Sequence, residues 1–514
     1  MLGTLSHGGD PERSRVHLEE IHRFPNGAVD VDGTLRWDLP RLFAEARAGM
    51  AKAAFGGHAA SGGRTISGVS ADAWGVDYAL LKDGLSPLEP AFHYRDARTD
   101  GAMERVFARV PAEEIFRATG IQFMSLNTLY QLFTDLADRG AVLRAAEGFL
   151  NIGDWFNARL SGVAKGEMSL ASTTQLFDPR KGPSGHGDWA WGLIDRLGLP
   201  RRIFPALVPP GTVLGPLRPG LFSDVPGLPA GADGLGNLSG AQVVATCSHD
   251  TAAAVAAVPA PAGAGDAGTW AFLSSGTWSL LGVELEEPVI DEASRARNFT
   301  NEVGFGGSIM FRKNIVGLWI VQECRRAWAE AGEELDYAAL TALAERAAPL
   351  RSLIRPEDPR FAKPGGMPGK IAAYCRETGQ EEPRGPGAMV RCVLESLALL
   401  YAKTLRECAE CSAAARHGRA IKTLHVVGGG SRNALLNRLT ADAVQLSGVE
   451  RVTAGPAECT ALGNVLVQAK ALGHLAGGLR GAARRSSRVE EYAPRDREAW
   501  SDALRRFEAL PVPA

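Results

Sequence analysis

The sequence predicts an α/β protein of two domains. Strand and helix patterns alternate along the chain. Its 514 residues are enough for two or three separate cores. Both halves also hold a strand–turn pattern of Ser, Trp and Gly, at Ser70–Tyr78 and Ser275–Leu281, which points to a duplicated fold.

The elements follow from local chemistry. Pro40–Phe55 reads as a helix, with proline tolerated in its first turn and Gly56-Gly57 ending it. Thr65–Ser70 and Val76–Lys82 are β-rich, the second closed by the turn pair Asp83-Gly84. Asn127–Leu136 carries apolar residues at helical spacing. Residues 204–240 alternate prolines (Pro205, Pro209, Pro210, Pro216, Pro219, Pro226, Pro229) with glycines, so they form neither continuous helix nor sheet. Val213, Leu214, Leu217, Leu221 and Phe222 nevertheless suit burial, and a domain boundary is expected near 240. The second half restarts with a strand at Gln242–Thr246, and residues 314–331 read as a helix. Met389–Ala413 is the strongest helix, and Thr423–Val427 is a strand running into a helix from Ala434. Thr460–Leu472 is a helix stopped by Gly473, and Asp496–Ala509 reads as a last one.

Composition excludes several classes. A net charge of −2 leaves no electrostatic footprint for nucleic acid or an anionic membrane. No apolar run approaches the roughly 18 residues a membrane helix needs; the run Thr251–Val258 stops at Pro259 and meets Gly263 and Gly265. No secretory leader is visible at the N-terminus, so a cytoplasmic location is expected. Seven scattered cysteines do not make a disulfide framework, and the Cys408/Cys411 pair falls within a helix with no second ligand pair. No metal-ligand set is expected.

The chemistry concentrates in residues 247–282. Cys247-Ser248-His249-Asp250-Thr251 is followed by Leu273-Ser274-Ser275-Gly276-Thr277-Trp278-Ser279-Leu280. A carboxylate that can take a hydroxyl proton, and a small, hydroxyl-rich turn that can face a phosphate, are what phosphoryl transfer requires. Read alone, Asp250 also fits a helix cap. Val426-Val427-Gly428-Gly429-Gly430 delivers three glycines to a helix start, where backbone can approach a ligand. It is not a dinucleotide fingerprint, since Asn433 stands where a third spaced glycine belongs. There is no phosphate-binding GxxxxGK[ST] loop, no HExxH and no protein-kinase motif set.

An ordered set of motifs completes the picture. It comprises Asp72-Ala73-Trp74-Gly75-Val76-Asp77-Tyr78, Tyr94-Arg95-Asp96-Ala97-Arg98-Thr99, Gly120-Ile121-Gln122-Phe123 and Asn127-Thr128-Leu129-Tyr130-Gln131-Leu132. Ser248–Thr251, Leu273–Leu280, Thr300-Asn301-Glu302, Lys313-Asn314-Ile315, Gly428–Asn437 and Ala454-Gly455-Pro456 follow. Together these residues resemble the FGGY carbohydrate kinases, from residue 1 to about 470. The resemblance implies two actin-like (ribonuclease-H-like) domains around a central cleft holding ATP and sugar. It implies ATP-dependent phosphorylation of L-rhamnulose at O1, with Mg²⁺, the alternative substrate within the family being another ketose or polyol. Asp250 would be the proton acceptor. Gly75, His249, Asp250, Thr251 and Asn314 align with sugar-contacting positions, and Thr277, Gln322 and Gly429 with nucleotide-contacting ones. A sugar-binding N-terminal domain is expected over 1–240, a nucleotide-binding C-terminal domain over 241–485, and a tail helix within 486–514.

The chain departs from the family at its start. Members begin with a strand carrying a DLGASSGR-like phosphate segment, whereas Met1-Leu2-Gly3-Thr4-Leu5 matches the strand that comes next. The expectation is an N-terminal domain lacking its first strand. Either the true start lies upstream, or the chain is a short, non-catalytic sugar-binding relative. For the chain as written, poor folding and little kinase activity are expected, because unpaired buried backbone groups cost about 1–3 kcal/mol each.

Overall fold

The computed structural model describes all residues except 9, 57–63, 183–184, 227, 229–233, 262–267 and 512–514. Gly57, Pro229, Gly263 and Gly265, read above as turn or loop residues, lie outside the described residues. The chain divides into two compact units. One comprises Met1–Pro259, Glu286–Met310 and Thr460–Ser486; the other comprises Ala260–Leu285, Phe311–Cys459 and Ser487–Ala514. Each unit is therefore assembled from separated stretches, unlike the contiguous division at 240 and 485 read from the sequence. The physical reason lies in long-range pairing. Helix Leu479–Ser486, for example, returns to the first strands, where the Val16 amide donates to Ser486 Oγ at 2.8 Å.

In the first unit, Leu2–Ser6 pairs antiparallel with Arg15–Glu19. A second ladder orders Thr212–Pro216, Gln242–Ala245 and Gly68–Val69, the last two parallel. A third joins Ser86–Pro87, Tyr78–Lys82 and Gly148–Asn151. Asp83 and Gly84 both have positive φ (50° and 84°), the geometry a tight hairpin turn needs. Helix Leu39–Phe55 starts where Asp38 accepts the Arg41 amide at 3.0 Å. Its Leu39, Leu42 and Phe43 enter a core with Trp37, Leu150, Trp155, Leu217, Leu221 and Phe222. The proline-rich stretch is thus irregular yet packed. Val213 is the exception, pointing outward on an edge strand.

In the second unit, the sheet runs in the order Ile309–Val316, Trp278–Leu285, Trp270–Ser275, Thr423–Val427, Arg451–Ala454 and Glu490–Tyr492. Trp270–Ser275, Thr423–Val427 and Arg451–Ala454 are parallel and fully or mostly buried, as their Val, Ala and Phe content dictates. Helix Gly385–Cys411 lies against Ala434–Val444 and Tyr337–Arg346. Residues 314–331, expected as one helix, split. Lys313 to Val316 extend a strand, Gly317 breaks it, and the helix runs Trp319–Glu330. The tail carries a helix at Arg497–Ala509, capped by Asp496, and also a strand at Glu490–Tyr492. Cys375 and Cys392, both buried and free, place their thiols against each other. Among the described residues no helix is long and apolar enough to cross a membrane.

One contact in the first unit sets where its chemistry stands. The seven-residue helix Asp250–Ala256 is almost all alanine beyond its first turn, and helix Cys459–Ala471 approaches it at Gly463. A Cβ built on Gly463 would lie 1.8 Å from the Ala253 carbonyl oxygen. Gly463→Ala should therefore force the two helices apart and destabilise the chain by about 2 kcal/mol or more. A lowered denaturant midpoint at unchanged m-value would report it; an unshifted midpoint would show that this contact is not tight.

Candidate active site

Asp250 opens its helix as a first-turn residue, with His249 at the cap position. Its Oδ1 accepts from the Thr251 amide at 2.6 Å and the Thr251 hydroxyl at 3.2 Å. The Asp250 side chain remains 45% exposed, whereas that of His249 is only 6% exposed. The imidazole lies between two carboxylates: Nε2 is 3.4 Å from Asp250 Oδ1, and Nδ1 is 3.3 Å from Glu302 Oε2. An open carboxylate backed by a buried ring is placed to meet a polar ligand while its own rotamer is restrained.

This turn is locked to the Asp72–Asp77 segment through the backbone. The Ala73 amide donates to the Ser248 carbonyl and the Asp250 amide to the Ala73 carbonyl, both at 2.9 Å. Asn157 clamps Ala71 from both sides, accepting from its amide at 2.8 Å and donating to its carbonyl at 3.0 Å. Asp72 thereby comes beside Asp250. Burial, and then the Asp250 charge, push its carboxyl up to about 6, against a hydrogen bond from Asn464.

The next turn is strained and strongly held. Val76 has φ of +68°, an unusual conformation for a β-branched residue. Its amide donates to Thr173 Oγ1 at 3.1 Å, and its carbonyl accepts from Thr128 Oγ1 at 2.6 Å. Gly75 has no alternative, since a Cβ there would fall 2.8 Å from Thr173 Oγ1. Asp77 then anchors the turn. Its Oδ2 accepts the indole N–H of Trp37 (2.6 Å) and of Trp74 (3.0 Å), and Gln131 donates to Oδ1 at 3.2 Å. Burial outweighs these donors and raises the Asp77 carboxyl to about 6. Trp37 packs with tilted rings against Trp74, centroids 4.3 Å apart, and against His93 at 4.4 Å.

In the second unit, Gly276-Thr277 joins two antiparallel strands, and its neighbour Gly428 ends a strand parallel to the first of them. The two turns interlock. A Cβ on Gly430 would lie 2.1 Å from Ser275 Oγ, and one on Gly428, whose φ is +81°, would lie 3.0 Å from the Ser275 carbonyl oxygen. Gly429 faces open space. Thr277 also grips the helix Trp319–Glu330. Its carbonyl accepts the Gly317 and Trp319 amides at 3.2 Å, and its hydroxyl meets the Gln322 carboxamide at 3.2 Å. Asn433 caps the following helix through the Leu436 amide at 2.9 Å.

The predicted residues thus fall into two sets. Gly75, His249, Asp250 and Thr251 are gathered in the first unit. Thr277, Gln322 and Gly429 belong to the second, as does Asn314, which sits on the strand Ile309–Val316 and hydrogen-bonds Arg312. The family model described as "FGGY family of carbohydrate kinases, N-terminal domain" matches residues 28–257, and that for the C-terminal domain matches 271–472. A rhamnulokinase of Bacteroides thetaiotaomicron is 39% identical over 513 residues, covering 99% of this chain and 96% of that protein. The chain belongs to the FGGY family of carbohydrate kinases. It is a carbohydrate kinase with the two-domain actin-like fold of that family.

Other FGGY kinases agree. A rhamnulokinase of Enterococcus faecalis is 40% identical over 461 residues, spanning 90% of this chain and 85% of that protein. Among solved structures, a gluconate kinase from Lactobacillus acidophilus superimposes with a TM-score of 0.71 at 13% identity, over 96% of this chain and 91% of that one. A xylulose kinase from Rhodospirillum rubrum gives 0.70 at 20% identity, over 95% and 92%. At such identities these two speak for the fold alone.

Sequence reasoning missed the residues behind the site: Glu167, Ser169, Thr173 and Asn464 were given no role, and Asp72 and Glu302 were quoted only inside motifs. The available signal was chemical. Glu167 is an acidic residue opening the apolar and hydroxyl-rich run Met168–Thr174, where a solvated charge has no place.

The Asp77 carboxyl supplies a pH test. An unfolded Asp has a pKa of about 3.9, and the folded group is raised to about 6. The folded chain holds this proton between those values, so the stabilisation is full below about pH 4 and gone above about pH 6. The difference is about 3 kcal/mol. The denaturant midpoint of wild type should fall across that window, and Asp77→Asn should flatten part of the fall. An unchanged pH slope in the variant would refute the assignment.

Proposed function

We propose that the chain phosphorylates L-rhamnulose at O1, using ATP and yielding L-rhamnulose 1-phosphate and ADP. The observation that carries this reading is identity of 39–40% to curated rhamnulokinases over most of the chain, with an exposed Asp250 held at a helix start. The substrate O1 attacks the γ-phosphorus, the bond to the β,γ-bridging oxygen breaks, and Asp250 accepts the O1 proton as the new P–O bond forms. A carboxylate is a weak base, but it suffices when the proton leaves late in a loose transition state in which positioning dominates. In this reading Gly75, His249, Thr251 and Asn314 contact the sugar. His249 is buried beside Glu302, which suits a fixed polar contact.

Thr277, Gln322 and Gly429 contact the nucleotide. Support comes from the open backbone at Gly429 beside a turn with no intruding side chain. The first domain supplies most of the sugar contacts, with Asn314 from the second, and the second domain supplies those to the nucleotide. Mg²⁺ fits the donor set. Among the described residues no three His, Cys, Asp or Glu side chains gather as a metal cage, but Mg²⁺ carried on phosphates needs only one or two carboxylates. Asp72, beside Asp250, would supply one. When bound, the ion neutralises charge on the transferred phosphate. The reaction belongs to the cytoplasm, where ATP is available.

Asp250→Asn should lower turnover by about 10³-fold or more while leaving sugar and ATP binding within a few fold. A coupled ADP-release assay with binding by calorimetry checks this, and turnover within tenfold of wild type would remove Asp250 from the base role. A panel of rhamnulose, fuculose, xylulose and glycerol tests the substrate; a preference for any of the last three would overturn it.

A further inference from the structure

Beneath the Ser248–Asp250 turn lies a carboxyl that the reaction itself does not use. Glu167 precedes the helix Met168–Thr173 and is fully buried. Its Oε1 accepts the Ser169 amide at 2.8 Å, and its Oε2 accepts both the Ser169 hydroxyl and, at 2.8 Å, the Ser248 amide. The same Ser169 hydroxyl accepts the His249 amide at 3.1 Å. The two residues before Asp250 are thus suspended by their N–H groups from one carboxylate and one hydroxyl. These acceptors come from a segment about 80 residues away in the chain.

We propose that Glu167 and Ser169 are positioning residues for Asp250, a role that rests on Asp250 being the base. Burying a carboxyl without a cation is expensive unless every lone pair is used, and a position kept for packing alone has no need of one. Here Oε1 caps the helix Met168–Thr173 through the Ser169 amide, while Oε2 and the Ser169 hydroxyl are spent on the turn that carries the reacting residue. The backbone amides of Ser248 and His249 would otherwise be buried and unpaired, and the turn would be free to shift along the Asp72–Asp77 segment. A displacement near 1 Å at the base is enough to cost on the order of 10²-fold in rate. Asp154 completes the arrangement from below. Its Oδ1 accepts the Glu167 amide at 3.2 Å, and burial followed by the Glu167 charge raises its own carboxyl far above the usual range. Burial pushes the Glu167 carboxyl up as well, to about 7, against its hydrogen bonds from Ser169 and Ser248.

The test uses the full chain with sugar and ATP. Glu167→Gln keeps the shape but turns an amide N–H₂ toward a donor, and Ser169→Ala removes the acceptor for His249. Each should lower kcat by about 10- to 100-fold with KM for both substrates within about threefold. The double variant should fall little further than Glu167→Gln alone, because both act through one turn. Ser169→Thr, which keeps the hydroxyl, should restore most of the rate. Hydrogen exchange followed by mass spectrometry should show faster exchange at the Ser248 and His249 amides in Glu167→Gln and Ser169→Ala. The proposal is overturned if kcat stays within twofold of wild type, if KM alone changes, or if kcat falls while those amides remain protected. Should Glu167→Gln fail to fold, the Ser169→Ala and Ser169→Thr pair decides. Absence of turnover by wild type would overturn the reading of the reaction instead, and amide exchange would still decide whether Glu167 and Ser169 hold the turn.

Discussion

Two backbone hydrogen bonds, exchanged between Ala73 and the Ser248–Asp250 turn, are the constraint on which the first unit's chemistry depends. They join segments about 175 residues apart, and they bring everything else into range. Through them Asp72 stands beside Asp250, and Gly75 follows within two residues of the turn. Everything around this junction defends it. Asn157 holds one side, Glu167 and Ser169 the other, and Gly463 lets a helix press the Asp250 helix from behind. A junction of main-chain groups has no side chain to mutate away, which makes it a durable foundation for residues that must face ligand.

Cost and benefit are spatially divided in this unit. Val76 sits in an unfavourable backbone conformation, and Asp72, Asp77 and Glu167 are buried carboxyls raised to between about 6 and 7. Each such feature costs on the order of 1–3 kcal/mol. The offset lies in the surrounding core, from helix Leu39–Phe55 to the aromatic cluster of Trp37, Trp74 and His93. Rigid placement of polar groups is bought with apolar packing elsewhere.

Much of this was legible in the sequence because it is local. Asp38, Asn433 and Asp496 cap helices through their own neighbours, and Asp83-Gly84 turns a hairpin by itself. Asp250 and the Gly428–Gly430 turn were found because their residue types carry chemistry wherever they occur. Asn314 was placed on a helix because a short apolar run has no decisive period. The neighbouring strand Trp278–Leu285 settled it, and only tertiary pairing could do so. Glu167 was missed for a related reason: its long-range partner Ser248 lies about 80 residues away, so its local sequence shows a misplaced acid but not what that acid holds. The discontinuous make-up of both units was hidden likewise, since it depends on where Thr460–Ser486 returns.

The interlocked glycine turns of the second unit have a consequence for acidity. Gly428, Gly429, Gly430 and Gly276 present main chain, and main chain does not titrate. The first unit presents carboxyls poised near neutrality, within reach of ordinary cellular pH drift. Mild acidification therefore acts on the two sets of turns unequally: it protonates carboxyls around Asp250 while leaving the glycine turns electrically unchanged. The glycine turns themselves add nothing to the pH response that Asp72, Asp77 and Glu167 give the first unit.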